Sequence, residues 1–181
     1  MNRRDLPALP RIRRADIHDA QAIAAVHVQS WQGAYRGLLP QDYLDNLTPA
    51  QRLPRWQQTL LEIDWPRAGT VVAEHDEHII GFAHFSATRD EDQDPAAVGE
   101  LTSIYVLPTN WGHGTGRRLM SAALAALHDA RFMQATLWVL TTNNRATRFY
   151  LSTGWHPDGA TKQEHIAGQS ISETRYRRAI P

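Results

Sequence analysis

A short glycine-rich segment, Trp111-Gly112-His113-Gly114-Thr115-Gly116, has the clearest chemical potential in the sequence. It follows a β-rich stretch and precedes an amphipathic one, so we expect it to join a strand to a helix. Glycines let backbone N–H groups approach an anion closely, and a helix N-terminus places partial positive charge beneath that anion. The segment therefore predicts a diphosphate site. The alternative is a tight turn that needs glycine only for its geometry.

The spacing of these glycines argues against two common nucleotide-binding patterns. No Gly-Lys-Ser/Thr closes the loop, and the alternating glycines do not form G-x-G-x-x-G. Arg117 and Arg118 follow in the first turn of the expected helix, where cations oppose the helix dipole unless an anion is bound nearby. The sequence thus favours a phosphate ligand other than a nucleoside triphosphate or NAD.

Two further segments, one on each side of this loop, carry patterns of their own. Residues 99 to 108 read Gly-Glu-Leu-Thr-Ser-Ile-Tyr-Val-Leu-Pro, a β-rich stretch ended by proline. Residues 143 to 155 follow an apolar strand, place Asn143, Ala146 and Phe149 at helical spacing, and close with Gly154-Trp155. Each pattern is moderately specific alone, and their order around the glycine loop is far more specific.

Together the three segments resemble the GNAT superfamily of acyl-CoA-dependent N-acetyltransferases. The resemblance in element order extends over residues 12 to 178. Family members usually open the loop signature with Gln or Arg; here Trp111 stands at that position, whereas Gly114 and Gly116 match. The resemblance implies an α/β fold with a mixed, largely antiparallel, splayed central sheet flanked by helices, and acetyl-CoA as cosubstrate.

The resemblance assigns three groups of residues to acetyl-CoA. Backbone amides of the glycine loop would hold the pyrophosphate, the strand end from Ile104 would pair with the pantetheine amides, and Asn143 would hydrogen-bond that arm while also serving as a helix N-cap. For His113 only the backbone N–H is implied. The implied cofactor-binding residues are Ile104, Tyr105, Val106, Trp111, Gly112, His113, Gly114, Thr115, Gly116, Arg117, Asn143, Ala146 and Tyr150.

Direct transfer of an acetyl group to an amine needs a base, a polarised carbonyl and an acid. An alkyl amine has a pKa of about 10.4, like lysine, so it must lose a proton before attack. By resemblance, Glu100 is the base, directly or through a water, Tyr150 protonates the departing thiolate, and a backbone N–H near Val106 stabilises the thioester oxygen. The alternatives are a solvent-facing strand-end carboxylate for Glu100 and a core tyrosine for Tyr150.

The acceptor side is less defined. Trp31, Tyr35 and Glu100 are the expected substrate-binding residues. Trp31 and Tyr35 lie in the mostly helical first third of the chain, from which relatives build the wall of the acceptor cleft, and Glu100 is the expected base. Aromatic walls suit an apolar or cationic ligand, although such residues also cover sheets in general. The acidic run from Asp90 to Asp94 is interpreted as a solvated hairpin tip. We expect a small-molecule primary amine as acceptor; the alternatives are acetylation of protein N-termini or lysines, and a non-catalytic acyl-CoA sensor.

The elements expected to position these residues alternate between helix and strand, as in α/β proteins. A mostly helical first third should give way to a strand-rich region from residue 70. The expected strands cover residues 11–15, 70–74, 79–85, 100–107, 135–140, 161–166 and 171–178, and the expected helices begin near Asp16, Pro40, Thr48, Gly116 and Asn143.

Composition narrows the function further. The 181 residues suit one N-acetyltransferase domain over 11–181 after an N-terminal extension over 1–10. Nineteen Lys and Arg balance nineteen Asp and Glu, so no basic footprint indicates nucleic acid. The absence of cysteine excludes disulfides and thiolate catalysis, and without H-E-x-x-H we expect no metal. No stretch is apolar enough to span a bilayer, so we expect a cytoplasmic protein, and the resemblance implies a homodimer.

Overall fold

Seven strands and five α-helices lie within residues 9 to 180, the part of the chain that the computed structural model describes. The strands are β1 (Arg11–Arg14), β2 (Gly69–His75), β3 (His78–Ala87), β4 (Val98–Val106), β5 (Gln134–Leu140), β6 (His156–Ile166) and β7 (Gln169–Ala179). The helices are α1 (Ala20–Ala34), α2 (Gln41–Asp45), α3 (Pro49–Leu61), α4 (Thr115–Asp129) and α5 (Asn144–Ser152). The strands form one sheet in the order β1-β2-β3-β4-β5-β7-β6.

Local capping explains where the N-terminal helices begin. The side chain of Asp16 accepts a hydrogen bond of 2.8 Å from the N–H of His18 and starts a short 3₁₀ turn that leads into α1. Thr48 and Gln51 form a capping box at the start of α3, with Pro49 in the first helical position. These helices therefore begin close to the expected residues.

The largest difference from the expected elements lies in β6, which begins at His156 instead of residue 161. Its pairing with β7 shifts register between Pro157 and Thr161. Pro157, Asp158 and Gly159 are all disfavoured in strands, so the sequence pattern does not predict a strand over these residues.

The sheet opens between its two parallel strands. β4 and β5 pair only from Val98–Gln134 to Glu100–Thr136. Beyond Glu100, β4 continues to pair with β3 as far as Val106, and β5 continues to pair with β7 as far as Leu140. The two strands therefore diverge, which confirms the expected mixed, largely antiparallel and splayed sheet.

Helices cover both faces of the sheet. On one face, α1 and α3 pack against Val72 and Phe82, with Ile23 and Trp56 in the same cluster. On the other face, the core cluster combines apolar residues of α4 with side chains of the central strands; it includes Val71, Phe85, Leu119, Met120, Leu127 and Leu137. Each fully buried large apolar side chain contributes about 1.5–3 kcal/mol, so these clusters hold the strands that frame the gap.

No helix within residues 9 to 180 is both long and apolar enough to cross a bilayer. The expected N-terminal extension falls almost entirely on residues outside the described part of the chain. The domain division at residue 11, the cytoplasmic location and the homodimer stay predictions.

Candidate active site

A cavity of about 300 Å³ lies where β4 and β5 part. We call it the first cavity; both strands, the glycine loop, the start of α4 and α5 line it. All the expected cofactor-binding residues line it except His113, whose side chain is exposed. The tertiary structure thus brings three separate segments of the chain to one cavity.

The glycine loop has a backbone conformation that requires glycine. Gly112 and Gly114 have φ angles of +83° and +82°, in the left-handed region, and a Cβ atom at either position would meet nothing within 4 Å. α4 begins directly after Gly114, and no side chain within residues 9 to 180 caps its first N–H groups. These donors are therefore available to an anion at the mouth of the loop.

Trp111, which stands where the family usually has Gln or Arg, joins the loop to the end of β4. Its indole Nε1 donates a hydrogen bond of 2.7 Å to the carbonyl oxygen of Val106. The guanidinium carbon of Arg145 lies 3.1 Å from the centroid of the indole ring, as a cation–π contact. Trp111 thus retains a polar contact and brings an arginine of α5 to the wall of the cavity.

The last residues of β4 present backbone groups to the gap. The N–H of Leu107 donates a hydrogen bond to the carbonyl oxygen of Ile80 on β3. Along an antiparallel pair, successive residues point their backbone groups alternately towards and away from the partner strand. The N–H and C=O of Val106 therefore point away from β3. The oxygen of Val106 also accepts a hydrogen bond from the Ser30 hydroxyl at 3.2 Å. The N–H of Val106 faces the side on which β5 has diverged.

Tyr150 lines the first cavity from α5. The rings of Trp155 and Tyr176 surround it, with centroid distances of 6.4 and 6.3 Å. Burial raises the pKa of Tyr150 above its ordinary value, so the phenol is protonated at neutral pH. Its hydroxyl has no hydrogen-bond partner among residues 9 to 180, unlike a core tyrosine bonded to the backbone.

Glu100 is buried in an ion pair with Arg89. The residue is only 2% exposed, so it is not the solvent-facing carboxylate of the alternative interpretation. Its Oε1 accepts from Arg89 Nη2 at 2.6 Å, and its Oε2 accepts from Nε and the backbone N–H of Arg89 at 3.0 and 3.2 Å. The ion pair raises the pKa of the Arg89 guanidinium.

A second cavity of about 220 Å³ adjoins the first. The expected substrate-binding residues Trp31, Tyr35 and Glu100 all line it. Both cavities share a wall made of Tyr35, Thr102, Tyr105 and Trp138. Glu100 lines only the second cavity and Tyr150 only the first, so the two expected catalytic residues border different, adjoining cavities.

Two carboxylates of the acidic run, Asp90 and Asp92, are anchored to the sheet. Arg175 on β7, only 5% exposed, donates to Asp90 at 3.1 Å and to both oxygens of Asp92 at 2.7 and 2.8 Å. Trp138 Nε1 donates to Asp90 at 3.0 Å. These contacts leave 17% of the Asp90 side chain and 60% of the Asp92 side chain exposed, so the interpretation of the run as a solvated tip stays a prediction. The anchored run begins next to Arg89 and so holds it beside Glu100.

Comparison with known proteins establishes the family. The model of the acetyltransferase (GNAT) family matches residues 31 to 155 of this chain.

The chain belongs to the GNAT family of acetyltransferases.

An uncharacterised N-acetyltransferase of Archaeoglobus fulgidus is 36% identical over 141 residues, covering 78% of this chain and 89% of the relative. The uncharacterised N-acetyltransferase YuaI of Bacillus subtilis is 32% identical over 133 residues, covering 73% of this chain and 72% of the relative. The solved structure of YncA, a putative acetyltransferase from Salmonella typhimurium with its cofactor acetyl-CoA, superposes with a TM-score of 0.72 at 20% identity, covering 96% of this chain and 95% of that one. The resemblance noted from the motifs is confirmed, and this GNAT protein is an acetyl-CoA-dependent acyltransferase.

The residues of the first cavity fit the chemistry of acetyl-CoA. The uncapped start of α4 and the open glycine loop suit a diphosphate, and the N–H of Val106 suits a carbonyl oxygen. Asn143 caps α5, accepting from the N–H of Ala146 at 3.1 Å, which leaves its amide nitrogen free to donate. The side chain of Arg117 donates hydrogen bonds to Ser152 on α5, which leaves the backbone N–H of Arg117 as its donor for the predicted anion site.

Several residues that line this GNAT site were not predicted from the sequence. Arg89 lies in a charged run that is typical of a surface loop, and Arg145 and Trp138 belong to no local pattern that indicates a site. Their roles depend on partners that the fold supplies from distant segments. Within residues 9 to 180 no group of three His, Cys, Asp or Glu side chains is arranged to hold a metal ion, and the expectation of no metal stays a prediction.

Proposed function

We propose that this acetyltransferase moves an acetyl group from acetyl-CoA directly to the primary amine of a small molecule, without a covalent enzyme intermediate. The observation that supports this most is the pair of adjoining cavities, one at the anion-binding loop and one at Glu100, with a shared wall between them. Ligands bound in the two cavities would both contact the shared residues Tyr35, Thr102, Tyr105 and Trp138 and would therefore lie next to each other.

The glycine loop and the end of β4 hold and orient the donor in this proposal. Backbone N–H groups of the loop and of α4 bind the diphosphate, Asn143 donates to the pantetheine arm, and the N–H of Val106 donates to the thioester oxygen. Acetyl-CoA, when bound, supplies the acetyl group as a thioester, whose C–S bond breaks as the amine forms the new C–N bond.

Glu100 acts as the base on the acceptor side. Arg89 Nη2 donates one hydrogen bond to Oε1 of Glu100. Because a carboxylate oxygen has two lone pairs, Oε1 can still accept a proton from the acceptor or from a water. The acceptor ammonium gives up one proton before attack and the new amide nitrogen loses a second. Glu100 passes these protons on to solvent.

Tyr150 acts as the acid on the donor side. Burial keeps its phenol protonated, and its hydroxyl is free to donate. The leaving sulfur takes the phenolic proton, and solvent returns a proton to Tyr150 after each turnover. The balanced products are an N-acetylated acceptor, free CoA thiol and one released proton.

The dimensions of the second cavity support a small acceptor. Its 220 Å³ and its walls of Trp31 and Tyr35 suit a compact ligand better than a peptide chain. The same pocket distinguishes an enzyme from an acyl-CoA sensor, since a sensor has no use for a second ligand site beside the thioester.

Thiol release with acetyl-CoA and an amine panel tests this proposal. Glu100→Gln should lower kcat by about 100-fold, the size of a lost general base, and Tyr150→Phe by about tenfold, while both keep the affinity for acetyl-CoA. Glu62→Gln and Tyr43→Phe, outside both cavities, are matched controls that should keep full activity. Unchanged rates in both site variants, or binding of acetyl-CoA without turnover of any amine, would contradict the proposal.

A further inference from the structure

The second cavity contains two ion pairs, which is more charge than binding a simple amine requires. One pair is Arg89–Glu100, and the other is Lys162–Glu173, with Lys162 Nζ 3.2 Å from Glu173 Oε2. All four residues line the cavity. Each pair offers an incoming ligand one cation and one carboxylate.

In the first pair, the cation is the accessible member. The Arg89 side chain is 64% exposed, whereas that of Glu100 is 3% exposed. Arg89 uses Nε and Nη2 to bind Glu100, and its Nη1 has no hydrogen-bond partner within residues 9 to 180. A guanidinium held in this way retains N–H donors for a second carboxylate.

In the second pair, the lysine is also accessible. Lys162 is 37% exposed, and its Nζ lies 4.6 Å from the centroid of the Trp138 ring, on the wall that the two cavities share. An ammonium in this position can bind a ligand carboxylate while the aromatic ring contacts the apolar part of the same ligand.

The remaining lining residues are aromatic or aliphatic, apart from Thr102. The aromatic ones include Trp31, Tyr35 and Tyr105, and the indole Nε1 of Trp31 is buried with no hydrogen-bond partner among residues 9 to 180. A compact ligand with an apolar side chain would bury that side chain here.

These charges favour an acceptor that carries its own carboxylate over a polyamine. A polyamine would bring additional positive charge next to Arg89 and Lys162, which are the more exposed members of their ion pairs, and like charges at short range repel each other. A carboxylate on the acceptor reverses that interaction. The amine of the same molecule is then directed to Glu100 or Glu173.

Building on the proposed function, we propose that the acceptor is a small zwitterion of the amino-acid type. Its carboxylate binds Arg89 and Lys162, its apolar or aromatic side chain packs against Trp31 and Tyr35, and its amine is directed to Glu100. This preference is a property of the cavity's cations and is separate from the acetyl-transfer step.

Matched acceptors that differ only at the carboxylate test this inference. Thiol release is measured with phenylalanine, phenylalanine amide and phenethylamine, and with the corresponding leucine and methionine series. We expect kcat/KM to be about tenfold or more higher for the carboxylate in at least one series, the size of one lost hydrogen bond to a charged group.

Variants of the two cations supply a second readout. Arg89→Gln and Lys162→Gln should each reduce the preference for the carboxylate to about threefold or less, mainly through a raised KM. Arg148→Gln, exposed and outside both cavities, is the matched control and should keep the wild-type ratio. Because the ratio is measured within each variant, partial unfolding does not change it.

Two results would overturn the inference: equal or better turnover of amides and simple amines, or no turnover of any carboxylated acceptor. Spermidine and a short peptide are included in the panel for this reason, and turnover of either in place of the zwitterions leaves the acetyltransferase proposal intact. Absence of turnover with every amine contradicts the proposed function instead.

Discussion

The indole N–H of Trp111 donates a hydrogen bond of 2.7 Å to the carbonyl oxygen of Val106 and so fastens the glycine loop to the last residue of β4. This bond links the two parts of the site that would hold one ligand in the proposed function, the glycine loop and the strand end. Trp111 stands at the position where the family signature usually has Gln or Arg.

Trp111→Phe removes this bond while retaining an aromatic ring over Arg145. We expect unfolding free energy to fall by about 1 kcal/mol and the Kd for acetyl-CoA to rise about three- to tenfold, because the loop is less well positioned. Calorimetric titration measures the affinity, and urea unfolding measures the stability. Trp65→Phe, outside both cavities, should leave the affinity unchanged; wild-type affinity in Trp111→Phe would contradict the positioning role.

Gly114→Ala separates backbone strain from ligand binding. At φ = +82° an alanine costs about 1–2 kcal/mol, and we expect weaker acetyl-CoA binding because the loop relaxes away from this conformation. Gly168→Ala is a matched control, since Gly168 has φ = +79° and equally open surroundings in the turn between β6 and β7. Both variants should lose similar stability and only Gly114→Ala should lose affinity. A similar loss of affinity in the control would contradict an anion site at the loop.

Two partly buried histidines, His27 and His84, should make the fold sensitive to mild acid. Desolvation lowers the pKa of His27 to about 3 and that of His84 to about 4, below the ordinary value of 6.5. The unfolded chain therefore binds these protons first, so stability is full above pH 6.5 and decreases as pH falls towards the folded pKa values.

The expected slope below pH 6.5 is about 1.4 kcal/mol per pH unit for each of these histidines. Urea unfolding between pH 7.5 and 5 measures it. His84→Gln and His27→Gln should each flatten the slope by about half, whatever their effect on stability at pH 7.5. An unchanged slope in both variants would contradict this assignment.

Arg175 should couple the stability of the acidic run to the acceptor side of the site. Arg175→Met leaves Asp90, Asp92 and Asp158 without their shared cation. We expect the unfolding free energy to fall by about 2–4 kcal/mol. This is towards the lower end of the cost of breaking a buried ion pair, because Asp92 is exposed. Since Arg89 begins this run, the KM for the acceptor should rise while the Kd for acetyl-CoA stays near wild type.

Steady-state kinetics at a temperature where the variant is folded measure both quantities, with Arg148→Met as control. A raised Kd for acetyl-CoA with an unchanged acceptor KM would contradict the coupling.

The sequence was sufficient for the features that depend on neighbours along the chain. Helix starts at Asp16 and Thr48 follow from capping residues a few positions away, and the glycine loop is one contiguous segment between a strand and a helix. Family membership followed from the order of three such segments. The start of β6 was missed because the local residues Pro157 to Gly159 oppose the strand that β7 imposes on them.

The sequence alone therefore determined the family, the sheet class and the glycine loop between a strand and a helix, because periodicity, capping and glycine conformation act over a few residues. Only the tertiary structure decided which charges meet, Arg175 with Asp90 and Asp92 and Lys162 with Glu173, and that Glu100 and Tyr150 border different, adjoining cavities. These contacts join segments brought together by the divergence of β4 from β5. Local sequence patterns cannot predict these contacts, because electrostatic and packing energies depend on distance in space and not on distance along the chain.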